Sequence, residues 1–174
     1  GTSYELPYLG KFSWENSVAN PATGDKTVVA GLDDATPGQV YFYIGRKRKD
    51  GHPIVAAGLT NGNFYGLKVS LEGNPVTEES NDFGFGTAAT GFIGKARFGL
   101  HNMGDVSDLS AVQIENLSFA AGVTRFQRVE DGAWDPERKK DFYFVTTASL
   151  TANCRLWRLR FDDMGVALDL DGNA

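Results

Sequence analysis

The chain has 174 residues, 41% of them hydrophobic and 22% charged, and its net charge is −5. That length makes one domain with a substantial core the default, the negative charge argues against a nucleic-acid partner and an anionic membrane surface, and no apolar run nears the roughly 20 residues that span a bilayer. The 21 glycines and 12 phenylalanines favour strands and tight turns over long helices, while Cys154, the lone cysteine, excludes an internal disulfide and a cysteine-based zinc site.

Taken in chain order, Lys26 to Gly31 (KTVVAG) reads as a short β-branched strand, and the turn ATPG leads into Gln39 to Gly45 (QVYFYIG), apolar throughout. The basic run Arg46 to Asp50 (RKRKD) reads as an exposed connection. Pro53 to Leu59 reads as a third strand, and the tight turn NGN leads into a fourth, Phe64 to Leu71. Glu72 to Gly91 reads as irregular. One helix is expected over Asp108 to Ala120, capped by Ser107, with Leu109, Val112 and Leu117 at near-helical spacing. Strands resume at Asp141 to Thr147, Arg155 to Phe161 and Gly165 to Leu170. The chain starts GTSYELPYLG and ends DLDLDGNA, and both ends read as cut.

Beneath this order lies an internal repeat. WENSVANPATGDKTVVAG aligns with VEDGAWDPERKKDFYFVT so that Glu15 falls on Glu130 (130 − 15 = 115) and Asn20-Pro21 on Asp135-Pro136. The second strands match with one extra residue, Gln39 on Arg155. The repeated units, near 10–45 and 125–161, each read as a Glu, an Asx-Pro turn, a strand, a loop and a second strand. That is the inner hairpin of a propeller blade. At roughly 40–50 residues per blade, the single domain 1–174 supplies about three to four blades. Three explanations stay open: a small propeller, a piece of a longer protein, or closure by a second copy.

At this point the residues resemble a family. GKFSWENSVANPATGDKTVVAGLDDATPGQVYFYIG, with Gly10, Phe12, Glu15, Asn20-Pro21, Val28-Val29, Asp33-Asp34 and Gly38 to Tyr43 in order, is similar to a blade of the PhoX-like β-propeller family, which includes secreted bacterial alkaline phosphatases. The second unit resembles a later blade. The resemblance implies that Glu15 and Glu130 face a central channel and hold a metal, Ca²⁺ first, with Asp131, Asp33 and Asp34 as further candidates. Converging carboxylates suit a hard divalent cation. The resemblance also implies a phosphoester substrate and a periplasmic or secreted location. Iron is expected only in a longer parent, because the family's iron cysteine lies ahead of these blades and Cys154 does not match it.

Each candidate has a plainer alternative. Glu15 and Glu130 could fix loop amides at a strand start, and Asp33-Asp34 could be a solvated turn. His52 and His101 stand in loops without partners at ligand spacing. The Asp169-x-Asp171-Gly172 tail reads as a turn, since a calcium loop needs further ligands. Phe83-Gly-Phe-Gly and GFIGK lack the context of a phosphate loop. No catalytic nucleophile is assigned. Two functions follow: the calcium-binding segment of a PhoX-like metal-dependent phosphoesterase, or a non-catalytic, calcium-stabilised secreted module for binding or structure. Exposed strand edges further predict self-association.

Overall fold

The computed structural model describes residues 2–22, 24–71, 73–79, 96–151 and 154–162. Strands β1 (Trp14–Ala19), β2 (Lys26–Asp33), β3 (Gly38–Arg46) and β4 (Asn63–Leu71) run as an antiparallel meander in chain order. Strands β5 (Asn74–Val76) and β6 (Arg97–Gly104) pair with β4, and β7 (Arg125–Phe126) pairs with the start of β3. A second antiparallel sheet holds β8 (Val129–Trp134), β9 (Asp141–Thr146) and β10 (Arg155–Arg160), with β9 in the middle. The chain is all-β and propeller-like, as expected.

The Asx-Pro corners turn the chain between the first and second strand of each meander. Asn20 Oδ1 accepts from the Ala22 N–H at 2.8 Å, and Asp135 Oδ1 accepts from the N–H groups of Glu137 and Arg138, both at 2.9 Å. These side chains take up backbone donors that no ladder reaches, which is why Asx residues favour such turns.

Alternation along β2 and β3 divides the core. Val28, Ala30, Leu32, Val40, Phe42 and Ile44 face the second sheet, where they meet Val129, Trp134, Phe142, Phe144 and Leu159. Phe42 is fully buried and sits edge-on to Phe142 and Phe161 at ring-centroid distances of 5.9 and 5.4 Å. The opposite face of the same strands carries Tyr41 and Tyr43, covered by Ile114 with Val106 and by Leu9 respectively. Burial on both faces explains why β3 reads as an unbroken apolar run.

Helix α2 (Ala111–Ala121) starts at Ser110, not at Ser107. Ser110 and Gln113 form a reciprocal capping box, whereas the Ser107 N–H closes a turn on Asp105 Oδ1 at 2.9 Å. Its inward residues are Ile114 and Ser118, while Val112 and Leu117 are exposed. The sequence pattern misled because the buried face includes a serine, whose hydroxyl meets that of Tyr41 at 2.9 Å.

Other expectations are also corrected. Pro53–Ala56 is a short helix, α1, with Pro53 in its first turn. Strands β1, β5, β6, β7 and β8 were not expected, β5 lying in the stretch read as irregular; His101 lies in β6, and Glu130 stands inside β8 instead of ahead of a strand. The expected strand Gly165 to Leu170, the Asp169–Asp171 tail and the glycine motifs at 83–86 and 91–95 lie outside the described residues.

Candidate functional site

Two β-bulges shape the region around the repeated glutamates. In β1, Trp14 stands opposite Asp33 and Asn16 opposite Leu32, which leaves Glu15 as the extra residue. In β8, Val129 stands opposite Thr146 and Gly132 opposite Phe144, so one residue of the Glu130–Asp131 pair is extra. A bulge bends its strand and re-aims the side chain it carries. Gly132 closes the second bulge because a Cβ there would lie 2.7 Å from the Phe142 ring and 2.9 Å from Leu32 Cδ1.

The bulged strands belong to different sheets but lie beside each other. Asn16 Nδ2 donates to Asp131 Oδ1 at 2.7 Å, a contact between residues 115 apart in sequence. Trp134 Nε1 donates to the Val18 carbonyl at 3.0 Å, and Asn20 Nδ2 donates to the Lys139 carbonyl at 2.7 Å. Glu15 is exposed beside this seam.

Glu130 is more enclosed. Its Oε1 accepts from Thr147 Oγ1 at 2.9 Å and faces Arg128 Nη1 at 3.2 Å. Arg128 also donates from Nε to Asp34 Oδ1 at 3.1 Å, so one guanidinium joins Asp34 to Glu130. Arg128 has φ +62°, a left-handed conformation that costs a non-glycine residue about 1–3 kcal/mol. The side chain remains 45% exposed, which leaves part of its donor fork open to solvent.

Asp33 is placed apart from this group. Only 3% of it is exposed, and it shares a sheet face with Gln39 and Tyr41 beneath α2. Burial pushes its carboxyl up to about 6, against the backbone N–H of Gln39, which favours the charged form. Glu15, Asp34, Glu130 and Asp131 therefore border one seam, and Asp33 belongs to another environment.

The carboxylates suit calcium in kind, being hard oxygen donors. They do not suffice in number: among the described residues no group of three or more His, Cys, Asp or Glu side chains gathers, whereas Ca²⁺ takes roughly six to eight oxygens. These residues could supply only part of a shell.

No family model and no curated protein matches the chain. A search of solved structures matches Pseudomonas fluorescens PhoX in complex with vanadate, a transition state analogue, at TM-score 0.50 and 19% identity, over 81% of this chain and 24% of that one. The fold is PhoX-like. This chain thus spans about a quarter of the length of that protein.

Within this PhoX-like fold, sequence reading missed Arg128. Its only signal was a cation two residues ahead of Glu130; the left-handed backbone that turns it toward Asp34 leaves no mark in composition. It also missed Glu79, a fully buried carboxylate that pairs with Arg155 and accepts from the Gln127 N–H at 2.9 Å and Thr146 Oγ1 at 3.0 Å. This pair fastens the segment after β5 to the second sheet. His52 meets the Tyr4 hydroxyl at 2.6 Å on the surface, and Cys154 donates to the Thr147 carbonyl at 3.5 Å.

Among the described residues, no helix is long and apolar enough to cross a membrane.

Proposed function

We propose that this chain is the calcium-side segment of a PhoX-like metal-dependent phosphoesterase, with Glu15 and Glu130 as ligands and Asp131 and Asp34 supporting them. The observation that carries this reading is the pair of bulges on adjoining strands, which sets a glutamate at the matching position of each and joins the strands through Asn16 and Asp131. Asp34 and Glu130, which both contact Arg128, repel unless a cation lies between them. Arg128 partly fills that role through Asp34 and Glu130, and Glu15 is left for a further positive charge.

Arg128 also supports the choice of substrate class. A half-exposed guanidinium anchored by two carboxylates is well suited to hold a phosphoryl oxygen. Bound calcium would polarise the phosphorus centre and neutralise charge on the ester oxygens. The residues here orient the ester and offset its charge, and none is assigned proton transfer. A periplasmic or secreted location accompanies this reading.

The second reading is a calcium-stabilised module without catalysis. In it, calcium would brace the two bulged strands, which already meet through Asn16 and Asp131. Release of phosphate from a generic phosphomonoester in millimolar Ca²⁺, abolished by chelator and by Arg128→Ala, supports the esterase; calcium-dependent stability without turnover supports the module.

A further inference from the structure

A second polar cluster lies on the other face of the first sheet, under α2. Alternation puts Asp33 of β2 on the same face as Gln39 and Tyr41 of β3, since Leu32 opposite Val40 makes Asp33 and Gln39 the next cross-strand pair. Such a pair has its Cβ atoms about 5 Å apart. From above, α2 contributes Glu115, whose Oε1 accepts from Gln39 Nε2 at 3.1 Å, and Ser118, whose Oγ meets Tyr41 Oη at 2.9 Å.

Two oxygens in this cluster have no protein partner. Asp33 Oδ1 and Gln39 Oε1 are both buried and both unsatisfied, on residues 3% and 0% exposed. Buried acceptors of this kind are rare because each forfeits its hydration. With Asp33 ionised both are acceptors, so they cannot satisfy one another. The backbone N–H groups of Gln39, Ser13 and Ala35 steady the Asp33 carboxylate. Two cations of the neighbouring strands are engaged elsewhere: Arg125 of β7 pairs with Glu78 at 2.6 Å, and Lys68 of β4 donates to the Ala121 carbonyl at 2.7 Å.

We propose that Asp33 Oδ1, Gln39 Oε1 and the carboxylate of the exposed Glu115 supply the side-chain oxygens of a calcium site that pins α2 to the sheet, with water completing the shell. Two carboxylates ask for a divalent ion. An amide oxygen with carboxylates drawn from both a strand and a helix suits the irregular shell of Ca²⁺ better than the strict octahedron of Mg²⁺. The site stands apart from Glu15 and Glu130 and does not depend on the phosphoesterase reading.

Terbium is the probe, because it takes calcium's oxygen sites and its emission is sensitised by a nearby aromatic such as Tyr41. The background is Glu15→Gln/Glu130→Gln, which removes the ligands of the other proposed site. In that background, terbium should bind saturably, be displaced by Ca²⁺, and bind at least about tenfold more weakly once Glu115→Gln is added. Glu115→Gln keeps an acceptor for Gln39 Nε2, so the fold should survive it. Equal binding with and without Glu115→Gln overturns the site, as does absence of binding in the background variant. Should the double variant not fold, the natural chain must lose one equivalent of bound calcium on Glu115→Gln, and an unchanged stoichiometry overturns the proposal. Stabilisation by acid with no response to Ca²⁺ would mean that a proton satisfies Asp33, and overturns it equally. Absence of calcium-dependent phosphoesterase activity in the natural chain, with terbium binding intact in the background variant, would count against the function proposed above and leave this site standing.

Discussion

The β1–β3 and β8–β10 meanders are built on one plan and buried in opposite ways. Their first strands are both bulged, their Asx-Pro corners both cap with a side-chain oxygen, and their strands match in order. In the first unit both faces of β2 and β3 are covered, one by the second unit and the other by α2 and the N-terminal turn. In the second unit Phe142, Phe144 and Leu159 pack inward, while the far face is more open: Tyr143 and Val145 are half-buried, and Leu156 is 71% exposed. Hydrogen-bond geometry can therefore repeat while the chemistry of each face follows its neighbours. The aligned positions of β3 and β10 do not even share an inward face, because one unit presents its front to the other's back.

The largest effect that would test this contrast is in the shared core. Phe42→Ala removes the ring wedged between the units and should cost about 3–5 kcal/mol, whereas Leu156→Ala on the open face should change stability by less than about 1 kcal/mol. Urea unfolding of the two variants gives the comparison, and similar losses in both would break it.

Calcium comes next. If Glu15 and Glu130 act together across the seam, Ca²⁺ at about 100 times its Kd should stabilise the parent by about 2.7 kcal/mol. Calorimetric melts in EDTA and in Ca²⁺ should show that part of the shift disappear in Glu15→Gln/Glu130→Gln. An unchanged shift would return both glutamates to loop fixing.

Acid sharpens the contrast between the units further. Asp141 opens β9 and takes a paired contact from Arg160, at 2.8 and 2.6 Å, which holds its carboxyl below the usual carboxylate range. Because the folded value lies below the unfolded one, this stabilisation is present above the unfolded value of 3.8 and lost as pH falls through the folded value. Asp141→Asn should therefore flatten the acid limb of a stability–pH curve and leave its slope near neutrality unchanged. Arg160 is 52% exposed, so the effect should be modest and weaker in salt.

The smallest expected effects concern α2 and self-association. Ser110→Ala should cost about 1 kcal/mol through the lost capping box, and Ser107→Ala should cost almost nothing; equal losses would restore the earlier cap. The open face and strand edges of the second unit predict a concentration-dependent dimer by light scattering, and a monomer throughout the micromolar range would count against it.

Much of this fold is legible in the residues. The apolar run of β3, the Asx-Pro corners and the spacing that aligns Glu15 with Glu130 are local patterns, and each has a local cause: burial on two faces, or an oxygen that caps its own turn. β1 and β8 were not legible as strands because a bulge breaks the period of two that marks a strand. Pro53–Ala56 misled because a short apolar run does not separate strand from helix.

By itself the sequence determined the β class, the repeated Glu and Asx-Pro frame, and the acidic character of the seam, since propensity and periodicity act between near neighbours. Tertiary structure alone decided that Asp34 and Glu130 share Arg128, that Asp33 is buried under α2, and that Glu79 meets Arg155. Asp34 and Arg128, Asp33 and α2, and Glu79 and Arg155 lie tens of positions apart, and their pairing follows from which sheet face packs on which element.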